Sequence, residues 1–215
     1  MVGKLQQVEP PALPLAVNDY ERAYQDQLNN IQRIFYNRLT NATNALLGDG
    51  GGQYVDCPNG LFFNTADQTF AAINTAYPVV YNQTYLSSFV QLKSGSTSQI
   101  EVTVGGIYNF QYSGQLLSTN ASAKNVYLWI KRSNVTIGYS THAYTLSANG
   151  EYKQVSWNFN IDLQAGDYIE LEIATTDITV RLDAITATTP HPGVPSSVMA
   201  VNFISPLPAT LPTPP

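Results

Sequence analysis

Gly106-Ile107-Tyr108-Asn109-Phe110-Gln111-Tyr112-Ser113 is the stretch that decides the fold. Tyr108, Phe110 and Tyr112 recur at every second position, and in an extended chain successive side chains point to opposite faces. The stretch predicts a strand with one aromatic, buried face and a second face made by Ile107, Asn109 and Gln111. Gly105 and Gly106 ahead of it permit a tight start to that strand.

The same period of two continues on both sides. Tyr77-Pro78-Val79-Val80-Tyr81, Phe89-Val90-Gln91-Leu92 and Ile100-Glu101-Val102-Thr103-Val104 read as strands before it. After it come residues 126–130, Val155-Ser156-Trp157-Asn158-Phe159, and residues 168–173, 178–182 and 198–204. Breaks fall at Gly95, Gly105-Gly106, Asn149-Gly150 and Ala165-Gly166-Asp167. In residues 168–173, Tyr168, Glu170 and Glu172 alternate with Ile169, Leu171 and Ile173, which predicts one core face and one wet face. About eight to ten short strands fit an antiparallel β-sandwich of the jelly-roll kind over residues 61–205, and the fold class is mainly β. Residues 206–215 form a Pro-rich tail that cannot add to a sheet.

The other end of the chain has a different grammar. Pro10, Pro11 and Pro14 fix φ and remove backbone donors, so residues 1–17 are expected as an extended strip. Asn18 or Asp19 can cap a helix, Glu21 suits its first turn, and no Gly or Pro follows until Gly48. The expected helix spans residues 18–47. Tyr24, Leu28, Ile31, Phe35, Leu39, Ala42 and Leu46 fall three or four residues apart and make one narrow stripe, with Gln25, Asp26, Asn29, Asn30, Gln32, Arg33 and Asn37 on the other faces. That is a coiled-coil seam with one stutter. The stripe can pack on the chain's own β domain, or it can meet its own kind; so thin a stripe buries little unless it self-associates. Gly48-Asp49-Gly50-Gly51-Gly52 ends the helix and opens a linker over residues 48–60. It lacks the Lys-Ser/Thr of a phosphate loop.

Charge and rare residues exclude several chemistries. Charged residues make up 12% and apolar residues 44%, with a net charge of -5 and a pI near 4.8. Nucleic-acid affinity needs clustered Lys and Arg, and the one adjacent basic pair, Lys131-Arg132, reads as the polar end of a strand. One cysteine, Cys57, rules out an intrachain disulfide and any multi-cysteine metal site. The sequence carries no secretory apolar core and no run of about 18 apolar residues, so the expected protein is soluble, made in a cytoplasm, and has no membrane partner.

Catalytic readings fare poorly. His142 and His191 are the only histidines, too few for a three-His zinc site. Gly138-Tyr139-Ser140-Thr141-His142 ends in His where a nucleophile elbow needs Gly, and reads as a loop. Glu170 and Glu172 would point the same way on one strand rather than across a cleft, and Trp129 and Trp157 sit in core-like patterns, which argues against a glycosidase. Asp167 or Asp183 offers a place for a bound cation, and nothing requires one. The expectation is no enzyme, no cofactor and no catalytic or metal residue.

The order of these pieces resembles a known module. Asp67-Gln68-Thr69, then Gly106 to Ser113, Leu128-Trp129-Ile130-Lys131-Arg132, Trp157-Asn158-Phe159, Leu163-Gln164-Ala165-Gly166-Asp167-Tyr168-Ile169-Glu170 and Pro195-Ser196-Ser197 resemble the complement-type jelly roll, of the same broad fold as tumour-necrosis-factor heads, that recurs in structural proteins of marine short-tailed phages. Pro11-Ala12-Leu13-Pro14-Leu15, Tyr20, Gln27-Leu28-Asn29-Asn30 and Arg33-Ile34-Phe35-Tyr36-Asn37 resemble the lead-in of such virion proteins. Arg132-Ser133-Asn134-Val135-Thr136 departs from the pattern by lacking its Gly turn.

The resemblance implies a homotrimeric surface component of a bacteriophage virion, either a capsid decoration or a short fibre, assembled in the host cytoplasm. Pro11, Leu13, Pro14 and Leu15 would anchor it to other capsid or tail proteins, Tyr24, Leu28, Ile31, Phe35, Leu39, Ala42 and Leu46 would trimerise it, and the jelly roll would face outward. The alternative is a tail-fibre receptor-binding module for host attachment, gripping a host surface glycan through Tyr, Asn and Trp residues of its distal loops.

Overall fold

A computed structural model describes residues 21–47 and 57–207, in two units divided between Asp56 and Cys57. The first unit contains one helix, α1 (Arg22–Leu47). It has no Gly or Pro inside it, and Arg22 pairs with Asp26 one turn on at 3.7 Å. Both partners are solvated, so the pair adds only a few tenths of a kcal/mol. The expected start at residues 18–20 and the strip carrying Pro11, Leu13, Pro14 and Leu15 lie outside the described residues.

The head contains β1 (Asn59–Asn64), β2 (Gln68–Thr69), β3 (Tyr77–Pro78), β4 (Gln83–Ser88), β5 (Val90–Leu92), β6 (Ile100–Val102) and β7 (Gly106–Ser118). It continues with β8 (Lys124–Arg132), β9 (Val135–Thr136), β10 (His142–Leu146), β11 (Glu151–Leu163), β12 (Tyr168–Thr175), β13 (Val180–Leu182) and β14 (Ser197–Ser205). One sheet contains β4-β1-β14-β7 with β11 on the other side of β7, and the second contains β5-β6-β12-β8-β10. With β1, β6, β7, β8, β10, β11, β12 and β14 numbered first to eighth, the sheets run first-eighth-third-sixth and second-seventh-fourth-fifth. That order is the antiparallel double Greek key of a jelly roll. The expected fold class therefore holds.

The stretch that decided the fold forms the first half of β7, the most connected strand. β7 pairs along its full length with β11, from Gly106↔Leu163 to Ser118↔Glu151, and on its other side with β14 and then β13. Tyr108, Phe110 and Tyr112 are buried as the period of two demands, and Phe110 stacks on Phe159 at 5.2 Å. Between the sheets they meet Val126, Leu128 and Ile130 of β8 and Ile169, Leu171 and Ile173 of β12. Truncating Phe110 to Ala would remove about 3–5 kcal/mol.

Several local expectations need correcting. β12 has no wet face: all eight of its residues are buried, Glu170 and Glu172 included. A central strand with a segment packed across its outer face leaves no side exposed. Gly106 is not a turn residue but a ladder residue, where a Cβ would come within 2.3 Å of the Phe203 ring. β1 begins at Asn59, inside the expected linker of residues 48–60, and β4 was not anticipated. The missing Gly between β8 and β9 is replaced by Ser133 and Asn134, both at positive φ (45° and 69°). Asn tolerates that region better than most residues, which is how the turn closes without Gly.

Candidate functional site

Four places in the described residues present chemistry to the outside. The first is the stripe of α1. Tyr24, Leu28, Ile31, Phe35 and Ala42 are half-buried, and Leu39 and Leu46 are exposed, along with Ile34 and Tyr36. The seven residues fall on one face, as their spacing predicts.

The second is the outer face of the β1-β14-β7-β11 sheet. Because Tyr108, Phe110 and Tyr112 point inward, Asn109, Gln111 and Ser113 point out, and the register sets them beside Asn160, Asn158 and Ser156 of β11. On the other side Gln111 lies opposite Ala200, and Ser113 opposite Val198. The amides bond to one another: Asn109 Nδ2 donates to the Oδ1 atoms of Asn158 and Asn160, Gln111 Nε2 to Asn109 Oδ1 at 2.9 Å, and Gln154 Nε2 to Ser113 Oγ at 3.0 Å. Leu61 and Phe63 of β1, half-buried, extend the face. Charge occurs only at its two ends. At one, Arg132 bonds Asp162 at 3.1 Å and Asp167 at 2.9 Å; at the other, Arg181 bonds Asp183 at 2.6 Å and Asp67 at 3.2 Å.

Beside this face is the open edge between β11 and β10. Trp157, Phe159 and Ile161 of β11 and Tyr144 of β10 are only half-buried although they point between the sheets. His142, exposed, lies 4.4 Å from the Trp157 ring, and Trp157 lies 4.9 Å from Phe159. An aromatic row thus runs from the core to the surface.

The third place is the outer face of the other sheet, where charge is buried. Lys131 of β8 pairs with Glu172 of β12, and Ser98 donates to Glu170. The segment before β6 packs over them, with the Lys93 ammonium 4.1 Å above the Tyr168 ring. Glu172 Oε2 has no hydrogen-bond partner among the described residues. Trp129 belongs to this outer face, since it lies opposite Glu172 in the ladder. It is half-buried there, not a core residue as its surroundings in sequence implied.

The fourth is the segment between β8 and β10, which includes the Gly138 to His142 stretch. Gly138 to Thr141 form a loop, as expected, and His142 opens β10. Ser140 Oγ donates to Ile137 O at 2.7 Å and accepts from Ile130 N–H at 3.2 Å, so its hydroxyl fastens the backbone rather than standing free as a nucleophile. Tyr139 between them has a φ of 59° and a relative exposure of 110%. Sequence reasoning missed this residue, because nothing in the local pattern marks a tyrosine for full exposure.

The suggested cation positions are already served by side chains. Burial alone would raise the Asp167 carboxyl, but hydrogen bonds from Gln164 N–H, Arg132 and Ser133, with the Arg132 charge, hold it below the ordinary carboxylate range. Asp183 is buried against Arg181. Among the described residues no group of three or more His, Cys, Asp or Glu is placed to hold a metal, and no helix is long and apolar enough to cross a membrane. A cavity of about 320 Å³ lies between Phe63 and the Ile185–Val194 hairpin, lined also by Thr65, Ala187 and Pro195.

The chain matches no family model and no curated protein. Among solved structures it is similar to the globular domain of zebrafish complement 1qA protein, at 13% identity and a TM-score of 0.44, covering 70% of this chain and 99% of that one.

Proposed function

We propose that the chain is a homotrimeric surface module, a capsid decoration or short fibre of a bacteriophage particle, with the helix as its stalk and the jelly roll as its outward head. The observation that carries the trimer is the outer face of β1, β14, β7 and β11. It is long, free of charge along its middle, and its amides satisfy one another, so covering it desolvates no unpaired ion and leaves few polar groups orphaned. The half-open aromatic edge of β10 and β11 supplies a complementary surface. An edge set on the face of the next copy is a heterologous contact, which closes into a ring of three when each copy is turned by a third of a circle from the last. The seven-residue stripe of α1 suits a coiled-coil seam joining the stalks. The virion assignment rests on the resemblance of the ordered sequence pieces, and the reading includes no catalytic step.

Sedimentation of the full chain at micromolar concentration is expected to give three copies. Asn158→Lys, which places a charge in the middle of the face, is expected to give monomers of unchanged circular dichroism. A native monomer would sink the trimer. Labelling purified phage particles with antibody raised against the head tests the other half: unlabelled particles would remove the virion role and leave the oligomer untouched. Deleting residues 1–47 is expected to abolish attachment to the particle.

A further inference from the structure

We infer that the loop carrying Tyr139 is a binding site for uncharged carbohydrate, with the Tyr139 ring as a stacking platform. Tyr139 combines two costs that a fold ordinarily avoids. A bulky residue at φ 59° sits in the left-handed region, and its ring is fully in water. Strain of this kind persists only where surrounding structure imposes it, and here that structure is explicit. Ser140 Oγ ties Ile130 N–H to Ile137 O, Ile137 N–H bonds Ile130 O at 3.0 Å, and the pairs Lys131↔Thr136 and Arg132↔Val135 fix the other arm. The backbone that carries the ring is pinned, so only the rotation of the side chain remains to be ordered on binding.

The surroundings select the ligand class. Residues 133–146 contain no Asp, Glu, Lys or Arg. Lys131 and Arg132, the nearest cations in sequence, are engaged by Glu172, Asp162 and Asp167. The same segment carries exposed amide and hydroxyl groups at Asn134, Thr136 and Thr141. The space beside Gly138 is open, with no atom beyond its chain neighbours within 4 Å of where a Cβ would stand. Val135 is the one other large apolar side chain exposed on this loop, too little for the buried apolar centre of a protein interface. A lone accessible ring with neutral hydrogen-bonding groups fits the apolar face and the hydroxyls of a sugar. The far-end loops, residues 119–123, 147–150 and 176–179, contain no aromatic residue. Those loops offer no ring of their own, whereas Tyr139 is more exposed than any other large apolar or aromatic side chain among the described residues. Affinity for a polymer rests on the trimer reading, because three weak sites on one particle bind a repeating chain far more tightly than one.

The test uses the full chain on immobilised glucan, mannan, galactan and chitin oligosaccharide, with heparin as the anionic control. Retention on at least one neutral polymer is expected, reduced at least tenfold in Tyr139→Ala and within threefold of native in Tyr139→Phe, with thermal unfolding unchanged in both. Failure to bind any neutral polymer, preference for heparin, or equal retention of Tyr139→Ala would overturn the site. A tetrasaccharide of the retained polymer, titrated by nuclear magnetic resonance into native chain and into the Asn158→Lys variant, separates the two readings. Equal affinity in both upholds the site whatever the oligomer. No binding in either overturns it without touching the sedimentation result.

Discussion

The two outer faces of the sandwich handle polarity in opposite ways. On the β7 and β11 side the polar groups are uncharged amides and hydroxyls that bond sideways to one another and remain at the surface. On the β8 and β12 side they are charged, and the fold buries them under the segment that brings Lys93 and Ser98 into place. Buried ions commit a face to its own chain, because exposing or mispairing them is costly. A surface of satisfied neutral groups commits to nothing and is free to receive another molecule. The comparison teaches that charge is what separates a face covered by its own chain from one left open at the surface.

Among changes to the two outer faces, breaking the buried side gives the largest expected effect. Lys131→Met leaves Glu172 buried without its ion partner and is expected to cost about 3 kcal/mol in urea unfolding. Adding Glu172→Leu should recover most of that loss, and a double variant as unstable as the single would show that the face is not defined by this pair. The core between the faces gives a pH signature. Burial pushes the Tyr81 and Tyr112 hydroxyls well above their ordinary value. The unfolded chain ionises them near pH 10 while the folded chain keeps them protonated. Stability should therefore be intact below that pH and fall as the pH rises beyond it, a decline that Tyr112→Phe reduces.

Smaller effects sharpen the contrast. Asp167→Asn weakens the Arg132 network at the end of the neutral face and is expected to cost about 1 kcal/mol, since the pair is partly solvated. Because the Asp167 carboxyl is held below its ordinary value, its contribution is present above about pH 4 and lost as the pH falls. The native chain should lose its advantage over the variant in acid. Smallest of all, Asn158→Lys should change the stability of the single head by under about 0.5 kcal/mol. A loss comparable to that of Lys131→Met would erase the distinction between the faces.

The alternation around Tyr108, Phe110 and Tyr112 was legible because its period belongs to one strand and needs no partner to read. The fate of Glu170 and Glu172 was not: their alternation with Ile169, Leu171 and Ile173 promises a wet face, and only the packing of Lys93, Ser98 and Lys131 turns it into a dry one. Trp129 was misread for the same reason, since its neighbours Leu128 and Ile130 are core residues and it faces the other way. β4 escaped notice because Gln83-Thr84-Tyr85-Leu86-Ser87-Ser88 has almost no apolar alternation and becomes a strand by pairing with β1. Of the candidate surfaces, the outward set of Asn109 and Gln111 could be read from the sequence. The exposure of Tyr139 could not, because it depends on the Ser140 hydroxyl finding Ile130 and Ile137.

Phe203 N–H donates to Pro58 O, so the head's first and last strands begin and finish at the same end of the sandwich. β1 and β14 are neighbours running in opposite directions. A mechanical load applied between those two ends would open their ladder one rung at a time, the weak direction of a sheet.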